Sequence, residues 1–226
     1  MARTHTDREF EEELRELRER LLLMAGRVEE MIAHAIRALL ERDADLARAT
    51  IALDRLVNRA EREIDDRCLR LLARRQPLGS DLRFVALSLK MVTDLERIGD
   101  LAVNVCERAA SLAQQAPVRV SDGIPRLATL VQGMVREAMD SFVAGDATRA
   151  EEVIHRDDEA DELYHQIFRE QIGEMRQAPA SLEQWIQVQS VSKLLERMAD
   201  HATNLAEEVI FMVRGEDIRH QGKLPA

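Results

Sequence analysis

The sequence predicts an all-α protein of two pseudo-symmetric three-helix bundles, with six antiparallel helices in total. Hydrophobic residues make up 46% of the 226 residues, aromatic residues only 3% and charged residues 33%, which is typical of long helices. Only five prolines and nine glycines interrupt the chain. The strongest observation is an internal repeat, because the run that begins at Val92 recurs 100 residues later at Ser192.

The first three predicted helices follow from apolar spacing and from residues that start or stop helices. The first helix runs to about Glu41, and its apolar residues recur about every 3.5 positions, as in a bundle seam. Asp43 is a favourable N-cap for the second helix, which ends at the Pro-Leu-Gly segment 77–79. Ser80 or Asp81 is predicted to cap the third helix.

The same plan then starts again with three more helices. Their predicted caps and ends are Ser121 or Asp122, Gly145, Asp146, Pro179 and Ser181. The first repeat is therefore predicted at residues 7–116 and the second at residues 121–215. Residues 216–226 are polar and are predicted to form a frayed tail.

The repeated run places oxygen ligands in one row on the third helix of each repeat, because positions i, i+4 and i+8 share a helix face. The two rows are Glu96, Asp100 and Asn104, and Glu196, Asp200 and Asn204. One acidic pair alone is weak evidence, since 42 residues are Asp or Glu and a solvated helix face explains any single pair. Chance does not explain the same row in the same register twice.

The second helix of each repeat carries a further row, at an offset of 103 residues. These rows are Asp54, Asn58, Glu61 and Asp65, and Asp157, Asp161 and, less regularly, Glu162. Antiparallel neighbours can bring two rows face to face, where they repel each other unless a cation binds. Oxygen donors favour magnesium, manganese or ferric iron over zinc. Asn58 in place of Asp161 leaves the first row one charge short, so the two sites are predicted to differ in metal load.

Other classes of function are disfavoured. A net charge of −10 argues against a nucleic-acid partner, because phosphate contacts need a basic surface. Neither a transmembrane run nor a signal-peptide core is found, so a cytoplasmic protein is expected. Cys68 and Cys106 are expected to be buried reduced thiols. Phosphate loops, nucleophile patterns and HExxH motifs are not found either, so we do not expect an enzyme.

Two alternatives stay open. A ferritin-like di-iron carboxylate protein needs two Glu-x-x-His motifs on separate helices, and this chain has one, from Glu162 to His165. A metal-free helical adaptor would keep the repeat and bind no metal. His201 could add a ligand to the second row, but its counterpart is Leu101, which favours a packing or surface role.

The duplicated motif Glu-Arg-x-x-Asp-x-Ala-x-Asn, at residues 96–104 and 196–204, resembles the motif of the PhoU family of phosphate-signalling regulators. The run at residues 75–83 is similar to the family's loop between its second and third helices. The resemblance covers roughly residues 8–215. It implies a PhoU-like pair of three-helix bundles, often assembled as a homodimer.

The resemblance also implies a function. PhoU proteins bind multinuclear clusters of iron, manganese or zinc, with magnesium as a further candidate. The family's ligand positions correspond to Glu96, Asp100, Glu196, Asp200, Asp54, Asp157 and Asp161. The implied role is that of a cytoplasmic negative regulator of the phosphate-starvation response and of phosphate uptake. Its implied partners are the ATPase component of a phosphate ABC transporter and a sensor histidine kinase, with membrane contact only through these partners.

Overall fold

The structure is a computed structural model that describes residues 5–216 and Ile218. Within these residues the chain forms six α-helices and no strand, which confirms the predicted fold class. The helices are α1 (His5–Glu41), α2 (Ala44–Arg75), α3 (Gly79–Ala113), α4 (Gly123–Ala144), α5 (Ala147–Gln177) and α6 (Leu182–Arg214), with a 3-10 turn at Pro179–Ser181. The predicted tail, residues 216–226, lies outside the described residues apart from Glu216 and Ile218.

The second helix of each bundle starts in the same way. The side chain of Asp43 accepts hydrogen bonds from the amide N–H groups two and three residues further on, both at 2.9 Å. Asp146 accepts the equivalent pair, both at 3.1 Å. Each carboxylate satisfies two N–H groups that have no partner within the helix, as predicted for these two caps.

The predicted capping residues of α3 are wrong, whereas Ser181 is the N-cap residue of α6 as predicted but makes no side-chain hydrogen bond. Helix α3 begins at Gly79, ahead of Ser80 and Asp81, and Leu78 precedes it in an extended conformation without a cap hydrogen bond. Ser181 precedes α6 but makes no side-chain cap, because the 3-10 turn leads directly into the helix. The N–H of Ser181 instead donates to a backbone carbonyl three residues earlier, at 3.1 Å.

The six helices pack as two three-helix bundles that lie side by side. Helices α1, α2 and α3 contact one another, as do α4, α5 and α6, and the pairs α3–α6 and α1–α4 join the bundles. Nε of Arg83 donates to the carbonyl of Met212 at 3.1 Å, and Nζ of Lys90 lies 3.2 Å from Oε1 of Glu208. These contacts show that α3 and α6 are antiparallel. The predicted repeat boundaries, residues 7–116 and 121–215, stay a prediction.

The two motif helices bury one face each in the shared core. The residues with no exposed surface include Leu95, Ile98, Ala102, Leu195, Met198 and Ala202. Burial of these side chains fixes the rotation of α3 and α6, so that the acidic residues of each motif lie beside the core rather than in it. None of the helices in the described part of the chain is long and apolar enough to cross a bilayer.

Candidate metal centre

The first acidic row lies along the contact between α2 and α3. The buried Val57 and Ile64 hold α2 against the core, which leaves Asp54, Asn58 and Glu61 half-buried at its edge. Helix α3 runs antiparallel to α2, and Asp54 is close enough to Asp100 for the two charges to interact. The structure therefore brings together the two rows of the first repeat, as the sequence predicts.

Asp54 and Asn58 of this row are hydrogen-bonded to each other. Nδ2 of Asn58 donates to Oδ2 of Asp54 at 2.7 Å. The other side-chain oxygens, Oδ1 of Asp54 and Oδ1 of Asn58, are buried and have no hydrogen-bond partner. Burial raises the pKa of Asp54, and the charge of Asp100 raises it further. Buried oxygens without a donor are costly, and a cation is one ligand that satisfies them.

The remaining carboxylates of the first row act on one another across the two helices. Burial raises the pKa of Glu96, followed by the charges of Asp100 and Glu61. Burial also raises the pKa of Glu61, followed by the charge of Asp65. The nearest cation is Arg97, whose Nε lies 3.7 Å from Oε2 of Glu96 and whose side chain is 60% exposed. These groups form one negative cluster that Arg97 screens poorly.

Glu61 and Asp65 belong to this cluster although the predicted ligand set leaves them out. The sequence signal was available, because both continue the α2 row that contains Asp54 and Asn58. Asn104 behaves differently, since its Nδ2 donates to the backbone carbonyl of Asp100 at 3.0 Å along the helix.

The second row lies between α5 and α6 and differs from the first. Nζ of Lys193 lies 2.7 Å from both side-chain oxygens of Glu196. Burial raises the pKa of Asp200, followed by the charge of Glu196, while Lys193 lowers it. Asp161 also acts on Asp200, so α5 contributes to this cluster. Asp157 is half-buried one turn before Asp161 on α5.

Asn204 lies apart from the second row. It is exposed and lines a cleft of about 560 Å³ between α3 and α6, together with Thr93 and Asp94. His201 takes the role that the sequence favours, because its Nδ1 lies 2.8 Å from Oδ1 of Asp94 and joins the two bundles.

The arrangement of the oxygen donors in the two rows decides whether a metal cluster fits there. Within residues 5–216 and Ile218, no three His, Cys, Asp or Glu side chains converge as closely as metal ligands do. The first row nevertheless has the chemistry that a hard cation needs, because Asp54 and Asn58 offer unpartnered buried oxygens beside Glu61, Glu96 and Asp100. In the second row the ammonium of Lys193 already occupies the carboxylate oxygens of Glu196.

The ferritin-like alternative finds no support in the geometry. Its single Glu-x-x-His motif consists of Glu162 and His165, and both side chains are exposed on α5. A di-iron carboxylate site lies inside the bundle, with all its ligands pointing inward. An exposed pair on one helix does not provide such a site.

This chain is similar in sequence to proteins of the phosphate transport system. The family model described as PhoU domain matches residues 21–109 and 124–209. The Phosphate-specific transport system accessory protein PhoU homolog of Pseudomonas putida is 40% identical over 219 residues, which span 96% of this chain and 86% of that protein. The protein of the same name from Caulobacter vibrioides is 38% identical over 218 residues, which span 96% of this chain and 95% of that protein.

Two crystal structures share the fold. One is PhoU from Pseudomonas aeruginosa, with a TM-score of 0.86, 40% identity and coverage of 92% of this chain and 100% of that one. The other is the phosphate transport system regulatory protein PhoU from Streptococcus pneumoniae, with a TM-score of 0.85, 28% identity and coverage of 92% and 99%. Both similarities extend over nearly all of each chain, so they include both bundles.

Proposed function

The chain belongs to the PhoU family, and we propose that it is a cytoplasmic accessory protein of a phosphate-specific transport system. In this role it represses the phosphate-starvation response and limits phosphate uptake. The observation that carries the proposal is the match of both repeats, over almost the whole chain, to relatives whose names state the transport role. Its proposed partners are the transporter's ATPase component and a sensor histidine kinase, and it contacts the membrane through them.

A complementation experiment tests this regulatory role. A Pseudomonas aeruginosa strain that lacks its own PhoU receives this chain on a plasmid, with the empty plasmid and the strain's own protein as controls. We expect the chain to lower the output of a phosphate-starvation reporter in phosphate-rich medium and to reduce phosphate uptake. Full reporter output at a protein level equal to the control would contradict the proposed role. Binding of the purified chain to the ATPase component and to the kinase tests each partner separately.

The proposal includes a metal cluster of iron, manganese or zinc, with magnesium as a further candidate. Its support is the buried, unpartnered oxygens of Asp54 and Asn58 and the mutually repelling carboxylates around them. Metal bound there neutralises the carboxylates and holds α2 to α3.

Metal analysis by mass spectrometry, before and after chelation, tests the cluster. We expect bound metal in the untreated protein, and we expect Asp100→Ala combined with Asp200→Ala to remove it without loss of helix content. Unchanged stoichiometry in the double variant would contradict the site. Light scattering on the same samples tests the proposed homodimer, which predicts twice the chain mass of 25.7 kDa.

A metal-free helical adaptor is the second candidate function. It is favoured by one observation, namely that no metal-like convergence of three ligand side chains exists among the described residues. Absence of bound iron, manganese, zinc and magnesium, even after incubation with each, would establish this alternative. The complementation experiment would then still decide the regulatory role.

A further inference from the structure

The second acidic row contains a cation of its own. Lys193 lies three residues before Glu196 on α6, and its Nζ is 2.7 Å from both carboxylate oxygens. The same Nζ lies 5.3 Å from the ring centroid of Tyr164 on α5, in a cation–π arrangement. The Glu196 side chain is only 13% exposed, whereas that of Lys193 is 50% exposed, so the ammonium reaches a largely buried carboxylate from the protein surface. The ammonium is therefore held between the two helices that carry the row.

The first row has no equivalent of this lysine. The counterpart of Lys193 is Thr93, whose hydroxyl donates to the carbonyl of Leu89 at 3.1 Å within α3. The counterpart of Tyr164 is Glu61. At the two positions where the second row has a cation and an aromatic ring to support it, the first row has a neutral hydroxyl and a further carboxylate.

One more exchange enlarges the difference. Asp65 of the first row corresponds to Phe168, whose ring lies 6.3 Å from that of Tyr164. Comparison of Asn58 with Asp161 alone predicted one charge fewer in the first row. Inclusion of Glu61 and Asp65 reverses this result, because both have aromatic counterparts. Counted without Glu162, whose side chain is exposed, the first row carries one negative charge more than the second, and it lacks the lysine.

We propose that Lys193 fills the cation position of the second row, so that metal binds at the first row and not at the second. This inference rests on the metal binding proposed above. A divalent ion could reach Glu196 only by displacing an ammonium that already contacts both of its oxygens, and the two cations would repel each other at that distance. In the first row the cation of the chain against Glu96 is Arg97, whose Nε lies 3.7 Å from one carboxylate oxygen and whose side chain is 60% exposed, so most of the compensating charge would come from bound metal. The two repeats have thus diverged into one bundle that depends on metal and one in which a lysine of the chain pairs with Glu196.

Reciprocal substitution of Thr93 and Lys193 tests whether the two rows differ in metal binding. Thr93→Lys places an ammonium three residues before Glu96, and Lys193→Thr removes it from the second row. Thr129→Lys is the matched control for the first change, because Thr129 is also exposed and its hydroxyl also donates to a carbonyl four residues earlier, at 2.9 Å. Lys90→Thr is the control for the second change, since Lys90 is similarly exposed but pairs with Glu208 outside both rows.

The readouts are manganese binding by calorimetric titration and the Tm of the chelated protein. We expect Thr93→Lys to weaken manganese binding at least tenfold and Lys193→Thr to create an additional site, while both controls keep the wild-type stoichiometry. In the chelated protein, Thr93→Lys should raise the Tm and Lys193→Thr should lower it, each by roughly 2–4 °C.

The outcomes separate this inference from the proposed function. If the wild type binds manganese and neither exchange alters its affinity or stoichiometry, the inequality of the rows is refuted while metal binding stands. If no variant binds any metal, the proposed metal cluster is refuted and with it the assignment of metal to the first row. In that case the opposite Tm shifts would still establish Lys193 as the internal counter-ion, and unchanged Tm values would refute that role too.

Discussion

Replacement of Gly99 by alanine is expected to stabilise the protein. Gly99 is fully buried in α3 next to Asp100, and its counterpart in the second repeat is the equally buried Ala199. A methyl group built at Gly99 lies 3.4 Å from Cγ1 of Val57 and 3.9 Å from Cγ2 of Val28, which is ordinary van der Waals contact. The added carbon therefore fits without displacement of α2.

The size of this effect follows from two terms. Glycine inside a helix costs about 1 kcal/mol relative to alanine, because it loses more backbone entropy on folding. The new contacts with Val57 and Val28 add a few tenths of a kcal/mol. The free energy of unfolding should rise by about 1 kcal/mol, and the Tm by roughly 2–4 °C for a chain of this size. Thermal melting followed by circular dichroism, together with urea unfolding, measures both quantities.

Two other glycines provide controls for this reasoning. At Gly26, an exposed position of α1, an added methyl group meets no atom within 4 Å, so Gly26→Ala measures the helix-propensity term alone. At Gly123 the methyl group would lie 2.6 Å from Cγ1 of Ile167, so Gly123→Ala should destabilise by about 1–3 kcal/mol. A lower Tm for Gly99→Ala would refute the packing of α3 against α2, and an unchanged Tm for Gly123→Ala would refute that of α4 against α5.

Three further predictions concern titratable side chains. His201→Leu alone should lower the Tm, because it leaves the half-buried Asp94 without its hydrogen-bond partner. His201→Leu combined with Asp94→Leu should restore the Tm in thermal melting, because the counterparts of both residues in the other repeat, Leu101 and Leu194, are also leucines. Burial raises the pKa of Cys68 to about 12, so a thiol reagent at pH 8 should label it only after unfolding, and rapid labelling of the native protein would contradict its burial. Hydrogen bonds from Arg75 lower the pKa of Glu13, so ionised Glu13 stabilises the fold above its unfolded pKa of about 4.3 and this contribution is lost as the pH falls. In urea unfolding, Glu13→Gln should therefore lower the free energy of unfolding by up to about 1 kcal/mol at pH 7 and leave it unchanged at pH 2–3. A loss of the same size at both pH values would show that the charge of Glu13 is not its cause.

The fold was largely predictable because the information it needs is local and repeated. Apolar spacing defined the helices, and Asp43 and Asp146 marked helix starts through their own side chains. The capping residues of α3 were predicted incorrectly, because that helix begins ahead of Ser80 and Asp81, after an extended Leu78. Ser181 occupies the N-cap of α6 without a side-chain hydrogen bond, because a 3-10 turn leads directly into that helix. A serine or aspartate before a helix is therefore a weaker signal where a turn leads directly into that helix.

The candidate site was only partly predictable. Helical spacing placed Glu96 and Asp100 in one row, and the antiparallel neighbour brought Asp54 and Asn58 opposite them. The predicted ligand set also includes Asn104, whose Nδ2 donates to a backbone carbonyl, and Asn204, which lines the cleft between the bundles, and their role as ligands stays a prediction. A helix row specifies a face, but the partners around that face decide where each side chain points.

By itself the sequence determined the six helices, their duplication and the acidic rows, because each depends on residues a few positions apart or on a repeat that can be aligned by eye. Only the tertiary structure decided how the two rows differ. The buried oxygens of Asp54 and Asn58 lack partners because α3 covers them. Lys193 neutralises Glu196 because α5 presents Tyr164 beside it, where α2 presents a carboxylate. Burial and charge balance are properties of packed neighbours, and no spacing along one helix contains them.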